Sequence, residues 1–350
     1  GSCLKSQFYS PVRYPELVVY DPFMGSGTTI VEAIKLGCRA IGRDINPVPV
    51  NMITASLQDY SMEEIEETYK RLERTAGEKI KKLYRTTLDD GTEADVLYYF
   101  WVKQISCPKC SCTIDLFKSR IFSSNAYPKK HPESKALCPK CNAINQVKFY
   151  DELVTCSSCR ADYNPQKGPV SSNKVTCPDC GNIFRIIDEV RKQKSPPSHR
   201  MYAKLVLDKN QKKHYLPITR ADEASYNESS QLLTGLINCI PNGMISSGYN
   251  TSQVLNYNYR CWRQMFNDRQ LASLAILAKE ISELDDPEMR NLFGILFSGS
   301  LEFNNMFASF KGEGTGAVRP IFYNHILKPE MTPLEANVWG TNKSSGSFST

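Results

Sequence analysis

The chain has 350 residues, a formal net charge of +6 and 41% hydrophobic residues, which is the composition of a globular protein with room for two or three domains. No apolar run approaches the roughly 18 residues that a membrane-spanning helix needs, and no secretory signal is recognisable. We therefore expect a cytoplasmic protein without a membrane partner, in which the 13 cysteines do not form a disulfide framework.

The first predicted elements form a strand, a glycine turn, a helix and a second strand. An apolar strand over Leu17–Tyr20 runs into the turn DPFMGSGTT, which begins at Asp21. The spacing then predicts a helix over Thr28–Leu36 and a strand over Arg39–Gly42, closely followed by Asp44. An acid about 20 residues beyond such a turn is typical of nucleotide-binding βαβ units, where it accepts hydrogen bonds from ribose hydroxyls.

The residues of the turn discriminate among nucleotide ligands. Gly25 and Gly27 leave room for a ligand close to the backbone. A phosphate-binding P-loop is excluded because Thr28 stands where that motif needs lysine, and a dinucleotide site would have glycine in place of Ile30. Asp21 at the mouth of the turn would repel a diphosphate but not a cationic cofactor. The turn therefore favours S-adenosylmethionine.

DPFMGSGTT followed by GRDINP resembles the cofactor motifs of amino-group DNA methyltransferases, which methylate N6 of adenine or N4 of cytosine. The resemblance implies a Rossmann-like core that binds S-adenosylmethionine, with Asp44 on the ribose and the turn around the methionine part. It implies this set of cofactor-binding residues: Asp21, Phe23, Gly25, Gly27, Thr28, Asp44 and Asn46.

After the cofactor motif, the capping box that begins at Ser61 predicts a helix of about six turns, from Met62 to Leu83. An apolar run over Val96–Val102 follows and leads into the cysteine-rich part of the chain.

Eight cysteines form four Cys-x-x-Cys pairs, and each pair can offer two thiolates to one ion. The pairs are Cys107/Cys110, Cys138/Cys141, Cys156/Cys159 and Cys177/Cys180. Sets of four thiolates favour zinc, so we predict two closed structural sites with no catalytic role. A thioredoxin-like redox pair and an iron–sulfur site are the alternatives. The other five cysteines, Cys112 among them, show no ligand spacing.

Spacing alone leaves the pairing of these knuckles open. Sequential pairing would join the first knuckle to the second and the third to the fourth, whereas nested pairing would join the outer two and the inner two. Sequential pairing closes shorter loops overall and is the expected arrangement.

The cysteine-rich part is also the basic part of the chain. Residues 101–200 hold 17 Lys and Arg against 8 Asp and Glu, which predicts a polyanionic partner, namely DNA. Aromatic and basic residues alternate in Phe117–Arg120, Tyr127–Lys130 and Lys148–Tyr150. Such residues suit phosphate contact and base stacking, but they equally suit the small core of a zinc ribbon.

Downstream of the cysteines, the sequence predicts a linker over Arg191–His199, a β-hairpin around Lys209–Asn210 and then helices. The segments that begin at Arg260 (RCWRQMFNDRQL), Phe303 (FNNMFASFKGEGTGAVR) and Pro333 (PLEANVWG) resemble the large adenine-specific DNA methylases with inserted zinc ribbons. The resemblance covers nearly the whole chain and implies adenine as the target, in a restriction-modification or defence setting.

The catalytic residues are unknown. The family's Asp/Asn-Pro-Pro-aromatic motif, which the resemblance implies contacts the flipped base, does not occur in the sequence, and its nearest Pro-Pro is Pro196–Pro197 in the polar linker. In the family this motif follows a PLEANVWG-like segment. We therefore expect the chain to be the N-terminal portion of a longer enzyme, inactive alone, which joins the remainder of that enzyme or other defence subunits.

The resulting prediction is an α/β chain with four parts. Residues 1–60 are the cofactor-binding βαβ part of an incomplete Rossmann-like core, 61–100 a helical connector and 101–190 the zinc-ribbon insertion. Residues 200–350 are a hairpin and helices that engage DNA or complete the core. An RNA methyltransferase and an inert zinc-ribbon nucleic-acid-binding module are the alternative functions.

Overall fold

The computed structural model describes residues 13–314, 317–323 and 326–350. Thr315 and Gly316 of the glycine-rich segment lie outside the described residues. The chain divides into two compact units: unit 1 runs to Arg71 and includes Ile281–Leu296, and unit 2 contains Leu72–Glu280 and Phe297–Thr350. No helix in the described ranges is both long and apolar enough to cross a membrane.

Unit 1 is built on the predicted βαβ unit. Its elements are β1 (Val18–Asp21), α1 (Thr28–Lys35), β2 (Arg39–Gly42), α2 (Pro47–Ser56), all but the last residue of α3 (Met62–Leu72), and residues 287–296 of a later helix. β1 and β2 pair in parallel, with Val18 opposite Arg39 and Asp21 opposite Gly42. Ile30 and Ala33 of α1 are buried. The strand–helix–strand prediction is therefore confirmed.

Beyond α3 the helix continues into unit 2 as a π-helical turn (Glu73–Gly77) and α4 (Glu78–Leu83). The predicted long helix is thus present, with a π turn in its middle. At this turn a Cβ on Gly77 would lie 2.9 Å from the Trp339 ring, so the absence of a side chain permits this close packing.

The centre of unit 2 is an antiparallel sheet around one long strand, β4 (Glu93–Ser106). The other strands of this sheet are β3 (Arg85–Thr87), β5 (Thr113–Asp115), β14 (Ser198–Leu207), β15 (Lys213–Pro217) and β18 (Leu334–Ala336). The strand order is β15-β14-β4-β18, and β3 and β5 pair with opposite ends of β4. Ten of the 14 residues of β4 are buried, including the unbroken run Val96–Lys103, so both faces of the middle of this strand are covered.

The cysteine-rich part projects from the end of β4 as three small sheets. Their strands are β6 (Ile121–Ser123), β7 (Glu133–Leu137), β8 (Ile144–Lys148), β9 (Val154–Thr155), β10 (Asp162–Tyr163), β11 (Val170–Ser171), β12 (Lys174–Thr176) and β13 (Ile183–Arg185). The predicted linker is partly helical, since α5 covers Ile186–Gln193. The predicted hairpin is confirmed, with Val206 of β14 opposite His214 of β15.

The remaining α-helices and strands of the described residues lie after the hairpin. They are α6 (Arg220–Leu236), α7 (Ser252–Asn256), α8 (Asp268–Ser282), α9 (Pro287–Leu301), β16 (Ser309–Phe310) and β17 (Val318–Arg319). Thr219 begins α6 with a capping box, in which its hydroxyl accepts from the Asp222 N–H and the Asp222 carboxylate accepts from the Thr219 N–H.

Candidate cofactor site and cysteine clusters

The turn after β1 is closed by backbone hydrogen bonds to the end of β2. The Arg43 N–H donates to the Asp21 carbonyl at 2.9 Å, and the Met24 N–H donates to the Arg43 carbonyl at 3.0 Å. The first turn and the segment after β2 therefore lie side by side at the carboxyl ends of two parallel strands, which is where α/β proteins bind ligands.

The Asp44 carboxylate ties these two segments together. One of its oxygens accepts from the Gly25 N–H at 2.9 Å, and the other accepts from the Asn46 N–H at 2.8 Å. The hydrogen bonds from Asn46 and then Gly25 lower the pKa of Asp44, so this carboxylate is ionised at neutral pH. Because a carboxylate can accept about four hydrogen bonds, the group retains acceptor capacity for a ligand.

The two positions in the turn require glycine for different structural reasons. Gly25 and Gly27 have φ values of +46° and +75°, a region that favours glycine. A Cβ on Gly25 would have no neighbour closer than 3.9 Å, whereas a Cβ on Gly27 would lie 2.1 Å from the Ile53 side chain in α2. Gly25 thus leaves open space beside the backbone, and Gly27 allows α2 to pack against the turn.

The remaining predicted cofactor residues surround the same turn. The Asp21 carboxylate accepts from the Phe23 N–H at 3.1 Å, and the Phe23 ring is 84% exposed. Thr28 begins α1, and Asn46 caps α2 by accepting from the Val48 N–H. The chain therefore brings the whole predicted set to one edge of the β1–β2 sheet, and their role in binding stays a prediction.

The four Cys-x-x-Cys segments share one backbone geometry. In each, the N–H of the first cysteine donates to the carbonyl five residues on, and the N–H four residues on donates back to the first cysteine. The residue after each second cysteine has a positive φ, and these residues are Ser111, Asn142, Arg160 and Gly181. The shared geometry directs both thiols of each knuckle to one side.

The expected sequential pairing of the knuckles is wrong. The structure groups Cys107 and Cys110 with Cys177 and Cys180, which we call the outer cluster. It groups the other four, Cys138, Cys141, Cys156 and Cys159, as the inner cluster. The pairing is therefore nested.

Apolar packing explains why the knuckles pair in the nested arrangement although the sequential arrangement would close shorter loops. Nesting roughly doubles the product of the two loop lengths, which costs only about 0.6 kcal/mol of closure entropy. In return, Ile105 and Ile114 beside the first knuckle pack with Val175 and Ile186 in one buried core. Burial of four such side chains far exceeds that entropic difference, at about 1.5–3 kcal/mol each.

Both clusters have the dimensions of a zinc site. The shortest sulfur–sulfur distances between partner knuckles are 3.6 and 3.7 Å in the outer cluster and again 3.6 and 3.7 Å in the inner one. Zinc–thiolate bonds of about 2.3 Å in a tetrahedron place sulfurs about 3.8 Å apart. The residues present therefore fit a tetrahedral ion held by four thiolates, with no position left for water.

Hydrogen bonds favour the thiolate at the third and fourth knuckles. The backbone N–H of Cys159, supported by the Asn145 amide, lowers the pKa of Cys156 to about 6. Burial opposes ionisation of Cys177, but hydrogen bonds from the Cys180 N–H and the Cys112 thiol outweigh it and lower the pKa of Cys177 to about 6. Cys112, which showed no ligand spacing, thus lies at the outer cluster.

The three aromatic and basic segments separate into core and surface. Phe117 is buried in the sheet core, with the Arg120 guanidinium 4.9 Å from its ring centroid. Tyr127 and Tyr150 are more than half exposed, and exposed lysines lie near both rings in the sequence. The first segment is therefore mainly structural, whereas the other two form exposed aromatic and basic surfaces suited to a nucleic acid.

The downstream segments that carry the resemblance meet at a buried ion pair that sequence reasoning missed. The Arg269 guanidinium donates to both oxygens of the Glu335 carboxylate at 2.7 and 3.1 Å, and both side chains are fully buried. Asn267 and Trp101 donate to the same carboxylate at 2.9 and 2.7 Å. The signal was available, since Arg269 and Glu335 lie within two of the quoted segments, but their contact was not predictable from spacing.

Comparison with known proteins relates the segment that contains the βαβ turn to DNA methyltransferases. Residues 13–55 match the family described as DNA methylase, of the N6 and N4 methyltransferase type. Two curated type II methyltransferases also match: M.MjaII of Methanocaldococcus jannaschii, 40% identical over 48 residues, and M.BsoBI of Geobacillus stearothermophilus, 33% identical over 91 residues. The resemblance to amino-group DNA methyltransferases is thus confirmed over this part of the chain.

These matches cover a limited share of each protein. They extend over 14% and 23% of this chain, and the chain spans 9% and 18% of the length of the two relatives. No solved structure matches the chain.

Proposed function

We propose that this chain is the cofactor-binding and DNA-engaging portion of a methyltransferase that acts on an exocyclic amino group of DNA, with N6 of adenine as the target in a restriction-modification setting. The observation that carries the proposal is the Asp44 carboxylate, which accepts from the Gly25 N–H across the βαβ turn within the segment that matches the DNA methylase family. The family match supports the reaction type, and the geometry of the turn supports the position that we propose for the cofactor.

S-adenosylmethionine carries a methyl group on a positively charged sulfur. In this proposal Asp44 accepts hydrogen bonds from the ribose hydroxyls, while Asp21 and the open side of Gly25 frame the methionine part. Phe23 provides an exposed ring beside the turn, and Thr28 and Asn46 border the site from the first turns of α1 and α2. The negative charges of Asp21 and Asp44 suit a cationic cofactor.

The cysteine clusters contribute structure in this proposal. Each holds one zinc ion and, together with the small buried apolar cluster beside it, keeps the basic insertion folded. The exposed Tyr127 and Tyr150, with Lys129, Lys130 and Lys148, then contact DNA through phosphates and stacking.

One face of the β1–β2 sheet in unit 1 is exposed. We propose that further elements of the enzyme cover it. Parallel sheets are almost always covered on both faces. Here α1 covers one face, while Val18, Tyr20 and Ile41 are each more than half exposed. The Asp/Asn-Pro-Pro-aromatic tetrapeptide does not occur in the sequence, so we expect that the 350-residue chain does not methylate DNA by itself.

Cofactor binding is tested by calorimetry with S-adenosylmethionine and the full 350-residue chain. Asp44→Ala should weaken binding at least about tenfold, because hydrogen bonds to a charged group are lost. Glu32→Ala, an exposed acid on α1 that forms an ion pair with Lys35, is the matched control and should bind as the wild type does. Equal affinity of the Asp44 variant and the wild type would refute the assigned ribose contact.

Methyl transfer is tested separately, by incorporation of tritiated methyl groups into unmethylated DNA. The chain alone should be inactive, and the same chain extended by the following residues of its gene should transfer methyl groups to an exocyclic amine. Robust incorporation by the chain alone would contradict the proposal. Competition between DNA and RNA distinguishes the two substrates, and cofactor binding without turnover in the extended protein would favour an inert binding module.

A further inference from the structure

The outer cysteine cluster contains a fifth thiol that the inner cluster lacks. The first two knuckles read CPKCSC and CPKCNA, so that Cys112 stands where the second knuckle has Ala143. The two positions have the same backbone role, because each carbonyl accepts from the first cysteine of its knuckle at 2.9 Å. The Cys112 thiol is therefore not required for the knuckle to form.

The Cys112 sulfur lies against one ligand rather than at a corner of the site. Its distance to the Cys177 sulfur is 3.2 Å, shorter than the 3.6 and 3.7 Å between the ligand sulfurs of partner knuckles. Because a tetrahedral zinc site requires about 3.8 Å between ligands, Cys112 is a neighbour of the site and not an additional ligand.

In the inner cluster, the equivalent contact is made by an asparagine side chain, which cannot form a disulfide. There the Asn145 amide donates to the Cys156 sulfur at 3.6 Å, and Cys156 occupies the position that Cys177 has in the outer cluster. Both clusters thus support the corresponding sulfur with a neighbouring donor. In the outer cluster alone, that donor is itself a thiol.

The two sulfurs of this contact differ in accessibility. Cys112 is partly exposed, as is the ligand Cys180, and the ligand Cys110 is exposed, whereas Cys177 is only 1% exposed. A dissolved oxidant can therefore reach Cys112 but not Cys177, whose sulfur lies 3.2 Å from that of Cys112. Shortening their 3.2 Å contact to a disulfide bond of about 2.05 Å requires a movement of only about 1 Å.

We propose that Cys112 is an oxidative modification site for hydrogen peroxide and organic hydroperoxides, and that its oxidation leads to a Cys112–Cys177 disulfide that opens the outer cluster. The proposal rests on the proposed zinc occupancy of the cysteine clusters and does not depend on the proposed methyl transfer.

Oxidation proceeds in two steps. The Cys112 sulfur attacks one peroxide oxygen, the O–O bond breaks, and the thiol proton passes to the departing oxygen, so that Cys112 becomes a sulfenic acid and water, or an alcohol from an organic hydroperoxide, leaves. The Cys177 sulfur then attacks the Cys112 sulfur, the S–O bond breaks, and the departing hydroxide takes up a proton as water. The two sulfurs supply the two electrons that reduce the peroxide. The outer cluster is left with three thiolates.

The test uses the full chain loaded with zinc and treated with limiting hydrogen peroxide. A chromogenic chelator measures released zinc, and mass spectrometry of alkylated peptides locates the disulfide. The wild type should release about one zinc equivalent and contain the Cys112–Cys177 linkage, and a dithiol reductant with added zinc should restore the metal content. The inner cluster should retain its ion and thus serves as an internal control.

Cys112→Ala copies the alanine of the second knuckle and should bind the same amount of zinc before oxidation. At the same peroxide dose it should retain the outer ion. Cys239→Ala removes an exposed cysteine outside both clusters and should behave as the wild type does. Equal zinc release by Cys112→Ala and the wild type would overturn the proposal, as would a disulfide between two ligand cysteines or a loss of zinc binding in unoxidised Cys112→Ala.

Discussion

Arg269→Met is expected to destabilise unit 2 strongly, because it removes the cation that neutralises a buried carboxylate. Arg269 and Glu335 are both 0% exposed. The guanidinium also lies over aromatic rings, with its carbon 3.9 Å from the Tyr99 centroid. Methionine fills much of the same volume but supplies neither charge nor hydrogen bonds.

The size of the expected loss of stability follows from the hydrogen bonds that would remain around Glu335. The Asn267 amide and the Trp101 indole would still donate to the carboxylate, but two neutral donors do not replace a guanidinium bound through two N–H groups. Breaking a buried ion pair by removing one partner costs about 3–5 kcal/mol. This is a large fraction of the roughly 5–15 kcal/mol by which domains are stable.

Urea denaturation followed by tryptophan fluorescence measures the effect, since Trp101, Trp262 and Trp339 all lie in unit 2. A loss of about 3–5 kcal/mol corresponds to a midpoint lowered by roughly 1–3 M urea. Arg85→Met is the matched control, because Arg85 is 41% exposed and approaches its carboxylates only at 3.9 and 4.0 Å. That variant should lose less than about 1 kcal/mol.

A double-mutant cycle with Glu335→Leu tests whether the loss of stability arises from the uncompensated buried charge. If the cost arises from an uncompensated buried charge, Arg269→Met combined with Glu335→Leu should lose at least about 2 kcal/mol less than the two single losses added together. Additive losses would show that shape and packing, rather than charge neutralisation, stabilise this part of unit 2. A midpoint for Arg269→Met equal to that of Arg85→Met would refute the argument entirely.

Three further outcomes are expected. Elemental analysis should give about two zinc equivalents per chain and about one for Cys156→Ala, whereas iron or a single equivalent in the wild type would disagree with the clusters described. Burial lowers the pKa of His199 to about 4, so folded-state stability should fall as the pH decreases from about 6.5 towards 4, and urea titrations of His199→Phe should show a flatter dependence. Gly27→Ala should lower the thermal stability of unit 1 more than Gly25→Ala, because only the former places a Cβ against Ile53, at 2.1 Å; calorimetric scans of the two variants with equal melting temperatures would contradict this.

The sequence determined the features that depend on neighbouring residues. The βαβ turn was predictable because the strand, the glycines and Asp44 lie within 30 residues, and because few backbone arrangements accommodate such a turn. The knuckles were predictable for the same reason: each is closed by hydrogen bonds that span four or five residues. Local geometry of this kind changes little with the rest of the fold.

The tertiary structure alone decided which distant segments meet. Loop entropy distinguishes nested from sequential knuckles only weakly, and the buried core beside β4 determined the outcome. Arg269 and Glu335 are 66 residues apart, and Cys112 and Cys177 are 65 apart. The spacing of these residues along the chain does not determine which residues they contact. Their partners are determined by how the strands of unit 2 pack, because this packing decides which side chains are excluded from water.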